Sequence, residues 1–261
     1  MRIEGRNPVR EALRAGVVVK RILIASGATE RGALADIVAL AAGRDIEVVR
    51  VARAELDVDS ETGANQGVVA EAPDYRYRPW QDAVALAAQR NEAPLLLALD
   101  GITDPQNTGS LIRSAHLLGA HGVLLPARRA ATVNATVVKA SAGAAWHTIV
   151  DLVTNLERTL ADCKQKGLWV IGLDGSAETE VSNCPLLSEP MALIVGAEGT
   201  GLSRLLRERA DVLVRIPQSG VVDSLGASVA GGIALYAVAA ARALSASGTQ
   251  LSASPPDTIR S

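Results

Sequence analysis

Residues 94–126 read PLLLALDGITDPQNTGSLIRSAHLLGAHGVLLP. An apolar run, PLLLALD, gives way to a polar loop, then to a helix-patterned segment, then to a second apolar run, HGVLLP. A strand that is apolar throughout, with no alternation, fits a sheet covered on both faces, and sheets of that kind are parallel. Three further runs follow with helix-like segments between them: LWVIGLD (168–174), MALIVG (191–196) and DVLVRIP (211–217). Alternating strand and helix predicts a parallel α/β domain from Pro94 onward. Each strand ends in a loop rich in Gly, Asp or Pro, at the carboxyl edge where open α/β sheets take their ligands.

Upstream, VVVKRILIA (17–25), IEVVRV (46–51) and QGVVAEA (66–72) show period-2 runs beside helix-like stretches, which predicts a small α/β unit over residues 1–72. The segment APDYRYRPW, with two prolines and mixed charge, breaks that pattern, and a short Ala-rich helix follows. A linker is placed at 73–93, the larger domain at 94–243, and a disordered Ser-rich tail with a PP pair at 244–261.

The chain is 48% apolar with 2% aromatics and no Phe, so its core must be aliphatic and base stacking cannot be its main grip on a nucleic acid. Its net charge of −2 leaves any RNA contact to local patches rather than to a global field. Arg6, Arg10 and Arg14 form one such patch near the start, although charge runs are more often solvated faces. Cys163 and Cys184 have no metal-ligand spacing and no partner motif, and His116, His121 and His147 form no cluster, so no metal site is predicted. No positively charged leader opens the chain, and the longest apolar stretch, Val229 to Ala241, falls short of a membrane span. A cytoplasmic protein without membrane contact is expected.

Three strand-end loops carry the chemistry. In the first, Asp104 and Asn107 suit a helix cap, Gly109 permits close backbone approach, and Arg113 follows within the helix, a place fit for phosphate. In the second, GAEGTGL (196–202) has neither the GxGxxG spacing of dinucleotide folds nor the Lys-Ser/Thr of a phosphate P-loop, but it sets Glu198 inside a Gly turn. In the third, IPQSGVVDSLGASVA (216–230) leads into a helix of small residues, with Ser224 and Ser228 four apart. Taken singly, each also reads as an ordinary capped connection, turn or buried helix. A dehydrogenase would need GxGxxG after its first strand, which this chain lacks.

Taken in order, DPxNxGxxxRxA (104–115), GAEGxGL (196–202) and IPxxGxVxSLxxSVA (216–230) resemble motifs one, two and three of the SpoU/TrmH family of RNA methyltransferases. GRNPVREAL (5–13) and NQGVVA (65–70) resemble the RNA-binding domain of its ribosomal RNA guanosine branch. The resemblance implies a deep trefoil knot, a homodimer, S-adenosylmethionine as methyl donor, and a ribose 2′-hydroxyl of RNA, most closely a guanosine of 23S rRNA, as acceptor. It places Gly196, Gly201, Ile216, Ser224 and Leu225 at the donor, and Arg113, Asn107, Glu198 and Ser224 at the chemistry. Other readings within it are a non-catalytic RNA-binding member, a tRNA enzyme, or an enzyme conferring antibiotic resistance at another rRNA site. Two departures stand out. Ser224-Leu225-Gly226 replaces the family's usual SLN, and Asn65 stands where His is common.

Overall fold

Residues 2–71 form a four-stranded sheet: β1 (Arg2–Glu4), β2 (Arg21–Ala25), β3 (Glu47–Val51) and β4 (Val68–Glu71), in the order β1-β4-β2-β3. The structure is a computed structural model and describes residues 1–58, 60–220 and 225–246. Helix α1 (Arg6–Arg14) buries Pro8, Val9, Ala12 and Leu13, one face at helical spacing, and turns its arginines outward. Helix α2 (Ala33–Ala42) joins the parallel pair β2 and β3, and α3 (Arg53–Val58) follows β3. Strand β1, only three residues long, carries too short a pattern to be read from sequence.

Buried Glu4 ends β1. Its carboxylate accepts hydrogen bonds from the Ser60 hydroxyl at 2.7 Å, from Glu61 N at 2.8 Å, from Thr62 N at 3.2 Å and from the Thr62 hydroxyl. Burial alone would raise its pKa, but the bonds from Thr62, Ser60 and Glu61 outweigh it and the net shift is downward. A carboxyl held below its unfolded value contributes stability above that value and loses it as pH falls through the folded one. Glu4→Gln should therefore lower the melting temperature at neutral pH and flatten its fall on acidification. Equal acid slopes for variant and wild type, in a thermal melt series, would remove Glu4 from the acid limb.

The segment read as a linker is held tightly. Tyr75 Oη donates to Ala145 O at 2.8 Å, Val133 N donates to Tyr77 Oη at 2.9 Å, and the Tyr75 ring packs on Trp146 at 5.2 Å. Helix α4 (Trp80–Gln89) then lies on the larger sheet, burying Trp80, Ala83 and Ala87.

That sheet is built from β5 (Leu95–Asp100), β6 (Gly122–Pro126), β7 (Ile149–Val153), β8 (Trp169–Leu173), β9 (Thr179–Glu180), β10 (Met191–Gly196) and β11 (Val212–Arg215). The order is β7-β6-β5-β10-β8-β11-β9 and every pairing is parallel, as the uninterrupted apolar runs predicted. Helices α5 (Pro105–Leu117), α6 (Ala135–Ala140) and α9 (Ala227–Ala246) cover one face, and α4, α7 (Leu156–Gln165) and α8 (Arg204–Arg209) the other. Along β5 the split is residue by residue: Leu95, Leu97 and Leu99 join the first core, Leu96 and Ala98 the second. The first core runs on into Ile3, Val9 and Leu13 of the small sheet, so the two units share packing.

Helix α9 continues to Ala246, past the boundary expected at 243, while residues 247–261 fall outside the described residues. Although its apolar stretch Val229 to Ala241 reads as too short for a span, the helix extends beyond that stretch at both ends and is long and apolar enough to cross a membrane by length and composition. One of its faces, with Ala234, Leu235 and Val238, is buried in the first core, and the opposite side leaves Val229, Ile233 and Tyr236 exposed.

Candidate active site

Three strand ends converge on a cavity of about 270 Å³, closed on one side by the start of α9. Gly196, at the end of β10, starts the loop. Gly201 N donates back to Ala197 O at 2.9 Å, and Ser203 N donates to Asp100 Oδ2 at 2.6 Å, which pins the turn to the neighbouring end of β5. The turn folds so tightly that a Cβ on Gly196 would stand 2.2 Å from the carbonyl carbon of Gly201. Gly201 itself has φ +63, a backbone setting other residues rarely adopt.

Gly196, Gly201, Ile216 and Leu225 all line this cavity, and so does Glu198. Ser224, named from sequence for both donor and chemistry, lies outside the described residues. A Cβ on Gly226 would be 3.8 Å from Glu198 Oε2, an ordinary contact, so the position has room for a side chain facing that carboxylate. Sequence reasoning missed Asp174 and Arg207, which also line the cavity and pair at 2.7 Å. Asp174 is buried at the carboxyl end of β8, and its other oxygen accepts from Ser176 N at 2.9 Å. Its position at the end of an apolar strand was the available signal.

The first loop is built as its residues predicted. Asp104 caps α5, accepting from Gln106 N at 3.2 Å and Asn107 N at 3.0 Å, with Pro105 at the first helical position. Gly109 lets α5 cross α6, since a Cβ there would stand 2.5 Å from that of Ala140. Asn107 is half-buried in the first turn and Arg113 is exposed further along. Arg113 does not line the cavity of Gly196. It faces a second one, of about 330 Å³, together with Arg10 and Asn7 of α1.

The N-terminal arginines divide. Arg10 and Arg14 bond to Glu11, each at 3.1 Å, and approach Asp36 at 3.6 and 3.4 Å, so acids offset part of that patch. Arg6 Nε donates to Gln66 O at 3.3 Å and lines a third cavity with Arg53. Buried His121 is structural: Nδ1 accepts from Leu95 N at 3.1 Å and Nε2 meets Glu92 at 2.9 Å. His116 and His147, by contrast, come together with ring centroids 5.7 Å apart, a cluster their sequence separation hid. Both cysteines are free and buried, and burial pushes the Cys163 thiol up to about 12, which leaves it unreactive. Among the described residues no group of three His, Cys, Asp or Glu side chains could hold a metal ion.

Comparison with known proteins matches residues 94–236 to the SpoU rRNA methylase family, and residues 2–78 to the substrate-binding domain of RNA 2′-O-ribose methyltransferases. The chain belongs to the SpoU rRNA methylase family. This SpoU methylase is an RNA 2′-O-ribose methyltransferase of the SpoU/TrmH type. It is 41% identical over 234 residues to Bacillus subtilis (strain 168) YacO, by name a TrmH family tRNA/rRNA methyltransferase, covering 90% of this chain and 93% of that one. A Mycolicibacterium gilvum protein named an uncharacterized tRNA/rRNA methyltransferase is 43% identical over 241 residues, 92% of this chain and 76% of its own. Among solved structures, the SpoU methyltransferase AviRb of Streptomyces viridochromogenes, in complex with AdoMet, superposes with a TM-score of 0.77 at 25% identity, over 93% of this chain and 90% of that one. A structure described as an RNA 2′-O ribose methyltransferase gives 0.75 at 26% identity, over 94% and 89%.

Proposed function

We propose that this SpoU methylase transfers the methyl group of S-adenosylmethionine to a ribose 2′-hydroxyl in structured RNA, with a guanosine of 23S rRNA as the acceptor. The observation that carries the reading is the convergence of the ends of β8, β10 and β11 on one cavity lined by the glycine turn 196–201, Ile216 and Leu225. Those walls fit the donor: Ile216 and Leu225 offer apolar surface and the 196–201 turn offers amides. When bound, the sulfonium supplies an electrophilic methyl group, and the protein's part is to hold the acceptor in line with it. Gly196, Gly201, Ile216, Leu225 and Ser224 hold the donor, Glu198 orients the turn, and Asn107 and Arg113 meet the RNA. A guanidinium gives up its proton too reluctantly to serve as a base, so Arg113 clamps a phosphate of the target.

Arg113 and the donor cavity open separately within one chain, which supports an active site completed in a homodimer. Leu117 of α5 and Val229, Ile233 and Tyr236 of α9 offer an exposed apolar face for it. Ile233→Asp with Tyr236→Asp should give a monomer in light scattering that still binds the donor. A variant that stays dimeric removes this face from the interface. The domain limits, the knot, the cytoplasmic location and the absence of membrane contact belong to the same proposal. Packing of one α9 face in the core supports the last of these.

The test is direct. Full-length protein with labelled S-adenosylmethionine should methylate 23S rRNA transcripts at a mapped 2′-O position. Gly226 favours a second reading, a member that binds RNA without catalysing, because the amide usual at that position is missing. Donor binding without methyl transfer, restored by Gly226→Asn, would establish that reading instead.

A further inference from the structure

Arg10 of the small domain and Arg113 of the catalytic domain face the same cavity, between α1 and α5. His116 and His147 stand on its wall, and Asn7 and Ser141 add polar groups. The acid in it, Glu11, is already engaged: it accepts from Arg10 Nε and Arg14 Nη1, each at 3.1 Å, and lies 3.1 Å from His147 Nε2. Arg113 forms no ion pair among the described residues. The cavity therefore presents cationic donors that its own acid does not fully satisfy.

Its walls are fixed by close packing across the two domains. Gly143, at φ +90, sits where a Cβ would meet Glu11 Cβ at 2.6 Å and Pro8 Cα at 3.3 Å, so α1 rests directly on the turn after α6. Lys139 Nζ donates to Thr62 Oγ1 at 3.0 Å beside the same seam.

We propose that this cavity is a composite phosphate site for the RNA backbone, in which Arg10 and Arg113, one from each domain, grip one phosphodiester and His116 binds it as an imidazolium. The inference rests on the reading of this chain as an RNA methyltransferase. Arg113, which has no ion pair among the described residues, and Arg10, whose fork is shared with Glu11 and Asp36, line one cavity and together suit the paired oxygens of a phosphodiester. Charged and titratable groups facing His116 are Arg10 and Glu11 from α1, His147 from the turn after 144–146, Arg113 one turn earlier on its own helix, and Arg90 at the end of α4. Burial first, then His147 and Arg90, push the His116 pKa below the usual histidine value, while Glu11 opposes them. An anion between the arginines reverses the balance, so filling the site takes up a proton and affinity falls as pH rises through the bound-state value.

The experiment uses the full chain, whose three histidines give resolvable imidazole signals by NMR. Inorganic sulfate is the probe, being tetrahedral and not titrating in the histidine range, against chloride at matched ionic strength. Sulfate should raise the His116 midpoint and leave His121 unmoved, and Arg10→Ala or Arg113→Ala should each abolish the rise. A His116 midpoint equal in sulfate and chloride overturns the site. In parallel, affinity for a 23S rRNA transcript should fall severalfold from about pH 6 to about pH 8, and His116→Gln should remove that slope. A slope that survives in His116→Gln also overturns it. Methyl transfer without a sulfate response defeats this site and leaves the proposed function standing. A sulfate response without transfer to any RNA does the reverse.

Discussion

Arg113→Ala should reduce methyl transfer by about a hundredfold or more while S-adenosylmethionine binds with unchanged affinity. The second half of that expectation comes from the structure. The donor cavity is lined by the ends of β8, β10 and β11 and the start of α9, and Arg113 opens onto another space. Truncating it leaves the donor walls untouched and removes the guanidinium that positions the acceptor. Arg113→Lys keeps the charge but loses the fork, and should fall between the two. If Arg113 acted as a base, the Lys variant would gain rate steeply with pH, because its amine loses a proton far more readily than a guanidinium. Single-turnover rates across pH, beside calorimetry of donor binding, separate the roles. An Arg113→Ala enzyme of near wild-type rate would remove the residue from both.

The legibility of the fold and the site in the amino-acid sequence depends on where each signal resides. The parallel sheet is readable because β5, β6, β8 and β10 are buried on both faces and so are written as unbroken apolar runs. The turn after β10 is readable because Gly196 answers a steric demand that only glycine meets and Gly201 takes a positive φ that favours glycine, and the start of α5 because Asp104 and Pro105 are local capping signals. The missed features are tertiary. Asp174 and Arg207 meet only when α8 folds back over the end of β8, and His116 and His147 lie thirty-one positions apart on different elements. Asn65 shows the opposite hazard. Read as a departure from the family's usual His, it is buried and braces its own domain, its amide donating to Leu56 O at 3.3 Å and Asp57 Oδ1 at 2.7 Å while its oxygen accepts from Gly67 N at 2.9 Å.

Gly196→Ala should abolish donor binding while leaving the sheet folded. The new methyl group would stand 2.2 Å from the carbonyl carbon of Gly201, 2.3 Å from its oxygen and 2.5 Å from Leu202 N, all backbone atoms that no rotamer change can move. Relief requires the 197–203 turn to swing away from β10, which breaks the Gly201 N to Ala197 O bond at 2.9 Å and strains the tether from Ser203 N to Asp100. That turn forms one wall of the cavity, so its displacement opens the wall and redirects the amides facing the donor. Strain of this kind costs about 1–3 kcal/mol in a packed interior, a loss the two cores flanking the large sheet can absorb without unfolding. Thermal melting should therefore remain cooperative, a few degrees lower, while calorimetry records no S-adenosylmethionine binding. Gly175→Ala is the matched control, because Gly175 lines the same cavity yet a Cβ there would meet nothing within 4 Å, and it should bind the donor. Undiminished binding by Gly196→Ala would place the donor elsewhere on this edge of the sheet.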